Sequence, residues 1–142
     1  MIGNMNANEL TIHNWVSFEG CPVRITNVGL TRIEGMLLKN DMLIDVGFKY
    51  EHIEPIPITE ELLAKNGFKR EYECICEYHY YIREISGFFV EVKIGCSNMG
   101  DEYVNCHIDN CDRNSVANAD IRYLHQLQNL CNIASAEMEW KI

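Results

Sequence analysis

Basic side chains are scarce in this chain. Lys and Arg number twelve against twenty-one Asp and Glu, which leaves a formal net charge of −9. Affinity for nucleic acid comes largely from neutralising phosphates with Lys and Arg, so the balance argues against duplex DNA or RNA as a partner. The densest basic hint is Lys69-Arg70. An acidic chain can instead meet basic surfaces or mimic DNA, although an acidic solvated surface that aids solubility explains the same numbers. Long apolar runs are also missing. No segment approaches the roughly 20 residues that cross a bilayer, and residues 1–8 have neither the basic start nor the apolar core of an export signal. The expectation is a cytoplasmic protein without a membrane partner. Phosphate cradles of the G-x-x-x-x-G-K-[ST] or G-x-G-x-x-G type are absent. The run Asp109-Asn-Cys-Asp-Arg113 lacks the spacing of a calcium loop.

Cysteine is plentiful, with seven at positions 21, 74, 76, 96, 106, 111 and 131. The odd count and the missing export signal predict reduced thiols. Cys74, Cys76, His79, Cys106, His107 and Cys111 could converge on zinc, but a structural site usually draws on two tight C-x₂₋₄-C knuckles. Here a C-x-C and a C-x₄-C stand without a repeat. Most of the cysteines instead fit apolar patterns as small buried hydrophobes. Cys106 and His107, adjacent on a strand, point to opposite faces and cannot activate each other. The reading is therefore no metal, no cofactor and no catalytic residue.

What is present is a series of short strand-like runs. Trp15-Val-Ser-Phe18, Pro22 to Val28, Arg32 to Leu38 and Met42 to Phe48 are punctuated by Glu19-Gly20, Gly29 and Lys39-Asn-Asp41. Several short strands at this spacing suggest a small closed sheet, and an SH3-like barrel is the first choice. Glu54-Pro-Ile-Pro57 reads as an extended connector. Thr59 is placed as an N-cap with Glu60 and Glu61 in the first turn, and Gly67 as a C′ stop. Period-two alternation runs through Glu71 to Tyr81, then a Ser86-Gly87 turn, then Phe88 to Ile94 with Phe88, Val90, Val92 and Ile94 inward. Residues 95–100 read as a loop, 103–108 as a strand and 109–119 as a mobile loop. Tyr123, Leu124, Leu127, Leu130, Cys131 and Ala134 then share one helical face. Arg122, His125, Gln126, Gln128, Asn129 and Asn132 occupy the other. Met138, Trp140 and Ile142 alternate with charge and predict a final strand. The fold class expected is α+β. It comprises an SH3-like β module over 9–58 and an α+β module over 59–142, read as parts of one compact unit, with a short helix, a β-meander and a long amphipathic helix at about 121–135.

Two stretches resemble a known group. Asn8-Glu-Leu-Thr-Ile-His-Asn-Trp-Val16 is similar to an N-terminal NELRIGNWV pattern, and Ile121-Arg-Tyr-Leu-His-Gln-Leu-Gln-Asn-Leu130 to an I-K/R-Y-V-H-Q-L-Q-N-L pattern. Ile56-Pro-Ile-Thr-Glu-Glu-Leu-Leu-Ala-Lys-Asn-Gly-Phe68 resembles the IPLTEE-L-L---GF segment of the same group. All three belong to a family of small uncharacterised proteins of Bacteroides-type bacteria, their phages and mobile elements. The resemblance implies a bacterial or phage cytoplasmic origin and carries over no catalytic residue. The chain departs from the pattern at His13, where Gly is expected, and at Ser135-Ala136, where Thr-Gly usually ends the helix.

The residues nominated for ligand or partner contact are Tyr78, Tyr80, Tyr81, Arg83, His125 and Gln128. Tyrosines could stack a base or a nucleotide, but Arg83 is the one basic residue that sequence adjacency offers them, and cross-strand packing explains the tyrosines equally well. Three functions stay open. The leading one is a phage or mobile-element accessory protein that binds a host macromolecule, a host protein in particular, and inhibits host defence. The alternatives are a module that sequesters a small nucleotide signal, and an enzyme with an unrecognised cysteine nucleophile.

Overall fold

Turn residues and alternating apolar side chains make this a mostly β chain. The computed structural model describes residues 9–71, 78–96 and 102–142. The expected strand over 71–81 and the loop over 95–100 therefore fall partly outside the described residues, as does the chain before Glu9. Two units emerge. One comprises residues 1–57 with 123–129, and the other residues 58–122 with 130–142.

In the first unit, β1 (Trp15–Phe18), β2 (Cys21–Val28), β3 (Arg32–Lys39) and β4 (Met42–Lys49) pair antiparallel in sequence order. The tight turns use left-handed backbone at Glu19, Gly20, Asn40 and Asp41. Val16, Val23, Ile25, Ile33, Leu37 and Phe48 are buried in one cluster with Leu10 and Ile53. The sheet is open, and this corrects the barrel expectation. Closure would need a further strand pairing along β1, but after a 3-10 turn at Tyr50–His52 the chain enters Glu54-Pro-Ile-Pro57. Proline has no N–H to give a ladder. The segment makes a single bridge to β1, Ser17 with Glu54, and its second bridge, Pro57 with Tyr123, does not extend the sheet.

The second unit holds β5 (Lys69–Glu71), β6 (Tyr78–Ile85), β7 (Phe88–Cys96), β8 (Glu102–Asp109) and β9 (Ser115–Asp120), antiparallel and again in sequence order. Tyr81, Ile85, Val90, Val92, Val104, Cys106 and Ile108 are buried. Helix α1 (Glu60–Lys65) is capped as expected. Thr59 Oγ1 accepts from Leu62 N at 3.1 Å, and Gly67, at φ +78°, takes the left-handed position after the helix. Its N–H donates to Ala64 O, while Phe68 N donates to Leu63 O.

Three further expectations are revised. The loop over 109–119 overlaps β9, a strand of small residues in which Val116 alone has a marked intrinsic strand preference. Its turn is built by Asn110, whose Oδ1 accepts from the backbone of both Asp112 and Asn114. The final segment is not a strand, because the Lys141 backbone bonds to the Asn66 side chain instead of a ladder. The long helix over 121–135 is short: α2 spans Leu124–Ile133. It starts late because Ile121 N donates to Val104 O and Arg122 O accepts from Ile58 N, both in extended pairings. It ends with Ser135 left-handed at φ 64°, where Ser135 N donates to Asn132 O and Ala136 N to Cys131 O. Among the described residues no helix is long and apolar enough to cross a membrane.

His13 stands at φ 76°, where the resembled pattern has glycine. Left-handed backbone suits glycine and is a genuine strain for a β-branched residue. His13→Gly is expected to stay within about 1 kcal/mol of the parent, while His13→Val costs about 1–3 kcal/mol. Urea melts of both variants check this.

Candidate functional site

Strand register decides which side chains share a surface, because directly paired residues project to the same face. In the second unit Tyr78 pairs with Gly95 and Gly95 with Tyr103. One step along, Tyr80 pairs with Lys93, Lys93 with Asn105, and Asn105 with Asp120. These two rows lie on the face opposite the buried Tyr81, Val92 and Cys106. They bring three tyrosines around one lysine.

The Lys93 Nζ sits 4.2 Å from the Tyr78 ring centroid, 5.7 Å from Tyr103 and 5.9 Å from Tyr80. Each distance is within the range over which a cation is attracted to an aromatic face. Tyr78 and Tyr103 meet edge to face at 6.3 Å. Gly95 makes this possible, since a Cβ there would overlap the Tyr78 ring. Its role is clearance under an aromatic plate rather than an unusual backbone angle. A polar row continues the surface. Tyr103 Oη donates to Asp120 Oδ1 at 3.0 Å, and Asn105 Nδ2 donates to Asp120 Oδ1 at 3.0 Å and Asn118 Oδ1 at 2.9 Å. The bond to Asp120 holds the Tyr103 phenol above its ordinary pKa. Further along, the Arg113 guanidinium lies 4.0 Å over the Phe89 ring.

Comparison with protein families, curated proteins and solved structures returns no match. The chemistry of the surface itself is then the guide to its use.

The six nominated residues separate. Tyr78 and Tyr80 are in the cluster. Tyr81, on the same strand, faces the other way and is buried; burial first, and a hydrogen bond to Glu60 second, push its phenol up to about 12. Arg83 shares that inner face and donates to the Asn66 carbonyl. His125 and Gln128 belong to the core of the first unit, at 2% and 3% exposure. Gln128 Oε1 accepts from Trp15 N at 2.9 Å, and its Nε2 donates to His13 O at 3.2 Å. Beside it, Asn129 Oδ1 accepts from Thr11 Oγ1 and from Asn14 Nδ2, both at 2.9 Å, and its Nδ2 donates to Glu9 O at 2.9 Å. The polar face of α2 is thus used to satisfy the backbone and side chains of residues 9–15.

Lys93 and Tyr103 carry the cluster and were not nominated. The signal for Lys93 was present: a two-residue turn at Ser86-Gly87 sets the β6–β7 register and places Lys93 opposite Tyr80. Of the described cysteines, Cys21, Cys106, Cys111 and Cys131 are free. Cys106 and Cys131 are buried. Burial raises the Cys106 thiol strongly and the Cys131 thiol to about 12, so neither offers a thiolate at neutral pH. Cys106 faces inward while His107 is half exposed on the outer face.

Proposed function

We propose that the protein works by binding rather than catalysis, and that the outer face of the five-stranded sheet is where a host protein docks. The observation that carries this reading is the Tyr78–Tyr80–Tyr103 cluster around Lys93, bordered by the fixed hydrogen-bonding row of Asn105 and Asp120. Amphipathic tyrosines with polar neighbours are the groups that concentrate binding energy at protein interfaces. Charge then favours one partner class over another. Glu71, Glu84, Glu91, Asp109 and Asp120 share this face with Lys69, Lys93 and Arg113. A phosphate would meet an excess of carboxylates here, whereas a basic, hydrogen-bonding protein surface is complementary to them. The family resemblance supplies the setting we propose: a phage or mobile element in the cytoplasm of a Bacteroides-type bacterium, with interference in host defence as the outcome.

The alternative, uptake of a small nucleotide on the same face, is supported by the stacking tyrosines and the adjacent Lys93. The two readings separate experimentally. Immobilised protein and a Tyr80→Ala/Tyr103→Ala variant are exposed to host lysate, with retained folding checked by melting. A host protein held by the parent and weakened by about 30-fold in the variant, equivalent to about 2 kcal/mol, is the expected result. Equal capture by both forms would remove the sheet face as the docking surface. A thermal shift with a nucleotide that disappears in Lys93→Ala would replace the protein partner with the nucleotide.

A further inference from the structure

On the other side of β6, the second unit contains a cavity of about 370 Å³ lined by Lys65, Asn66, Gly67, Arg83, Glu139 and Lys141. Three of the chain's twelve basic residues therefore meet at one place in a strongly acidic protein. Among the described residues, no carboxylate forms an ion pair with any of the three. Glu139 lines the cavity without pairing to them.

The wall is built rather than incidental. Asn66 is 2% exposed, and its Nδ2 donates to Leu62 O at 2.9 Å and Lys141 O at 2.8 Å while its Oδ1 accepts from Lys141 N at 2.7 Å. That clamp fixes the Lys141 backbone beside the end of α1. The Arg83 guanidinium lies across Gly67, where a Cβ would fall 2.9 Å from Nη1, and donates from Nη1 to the Asn66 carbonyl. Among the described residues, most of its five N–H donors have no partner. A structural role for one cation at a helix C-terminus is ordinary, and Arg83 fills it. Among the described residues, Lys65 and Lys141 make no side-chain bond to those carbonyls, so the helix end does not account for them.

We propose that this cavity binds a phosphomonoester, with the Arg83 guanidinium as a planar fork on the phosphate and Lys65 and Lys141 as flanking point charges. The volume lies near the lower end of small-ligand pockets, about 300–1,000 Å³, which suits a mononucleotide-sized molecule better than a dinucleotide. Glu139 disfavours a bare anion and offers an acceptor to a ligand hydroxyl. The proposal stands apart from the sheet-face reading, since Arg83 and Tyr80 project from opposite faces of β6.

The test titrates the full chain with inorganic phosphate and with adenosine 5′-monophosphate, following amide resonances of Asn66, Gly67 and Lys141. Saturable shifts are expected for at least one ligand. Arg83→Gln and Lys141→Ala should each weaken that binding by about tenfold or more, since each removes a charged contact, while Glu139→Gln strengthens binding of phosphate. Tighter binding of the nucleotide identifies a larger phosphomonoester, and equal binding identifies the phosphate group alone as the recognised element. Tyr80→Ala should leave the titration unchanged. If Arg83→Gln loses its melting transition, Lys141→Ala and Glu139→Gln decide the matter, because neither side chain carries a hydrogen bond among the described residues. Absence of saturable shifts with both ligands, or equal affinity in Lys141→Ala and the parent, overturns the proposal.

Discussion

Replacing Gln128 by alanine is expected to destabilise the protein by about 2–4 kcal/mol. A glutamine on the polar side of an amphipathic helix would ordinarily be tolerant, with surface substitutions staying within about 0.5 kcal/mol. Here the amide is buried and serves two backbone groups at once, Trp15 N–H and His13 C=O. Removing it leaves a donor and an acceptor without partners, and each such loss costs about 1–3 kcal/mol when buried. Gln128→Glu sharpens the test. The carboxylate keeps an acceptor for Trp15 but sets an oxygen against the His13 carbonyl, so it too is expected to destabilise. Asn132→Ala, on the exposed part of the same helix, serves as the control. Urea melts that placed Gln128→Ala level with Asn132→Ala would show that water replaces the amide without penalty.

Acidification should weaken the fold through His125. Its ring stacks on Tyr123 with centroids 6.0 Å apart, and neither ring nitrogen has a hydrogen-bond partner among the described residues. Burial lowers its pKa below the ordinary 6.5, against a smaller opposing effect from Glu9. The folded state therefore keeps the imidazole neutral where the unfolded chain already binds a proton. Stability is full above 6.5 and falls as pH drops from 6.5 toward the folded pKa, by about 1.4 kcal/mol per pH unit. His125→Phe should remove that slope between pH 7 and 5.5, because a ring of similar size has nothing to protonate. Parallel melts across this range compare the two. An unchanged slope in the variant would assign the acid sensitivity to other groups.

The same helix shows why pattern reading found some features and not others. Leu124, Leu127 and Cys131 are buried because a 3.6-residue period reports which side chains avoid water. The period says nothing about where polar side chains go, and Gln128 and Asn129 are turned inward to the backbone of residues 9–15. That destination depends on a contact far away in sequence. The strands of the first sheet were legible from alternation and turn residues, since both are local. Closure was not legible from the same cues, because it depends on the chain beyond β4, and two prolines there decide it. At the candidate surface, Tyr78 and Tyr80 stood out as a run, whereas Lys93 and Tyr103 enter through register. Only the hairpin between β6 and β7 has a turn short enough to set that register from sequence.

The bond between Thr11 and Asn129 spans 118 positions of chain, and it gives the first unit a split origin. Its four strands lie within residues 15–49, but the side chains that satisfy the segment leading into them come from residues 128 and 129. A ribosome making this protein delivers the sheet long before it delivers those amides. Until then Trp15 N–H and His13 C=O have only water to bond. The closing contact must also overcome the loop entropy of everything between. Cutting the intervening chain would leave all four strands in place yet turn an intramolecular attachment into a bimolecular one, whose strength then depends on concentration. Residues 9–57 and 123–129 are thus two pieces of one assembly, held at high effective concentration by the second unit's own sequence.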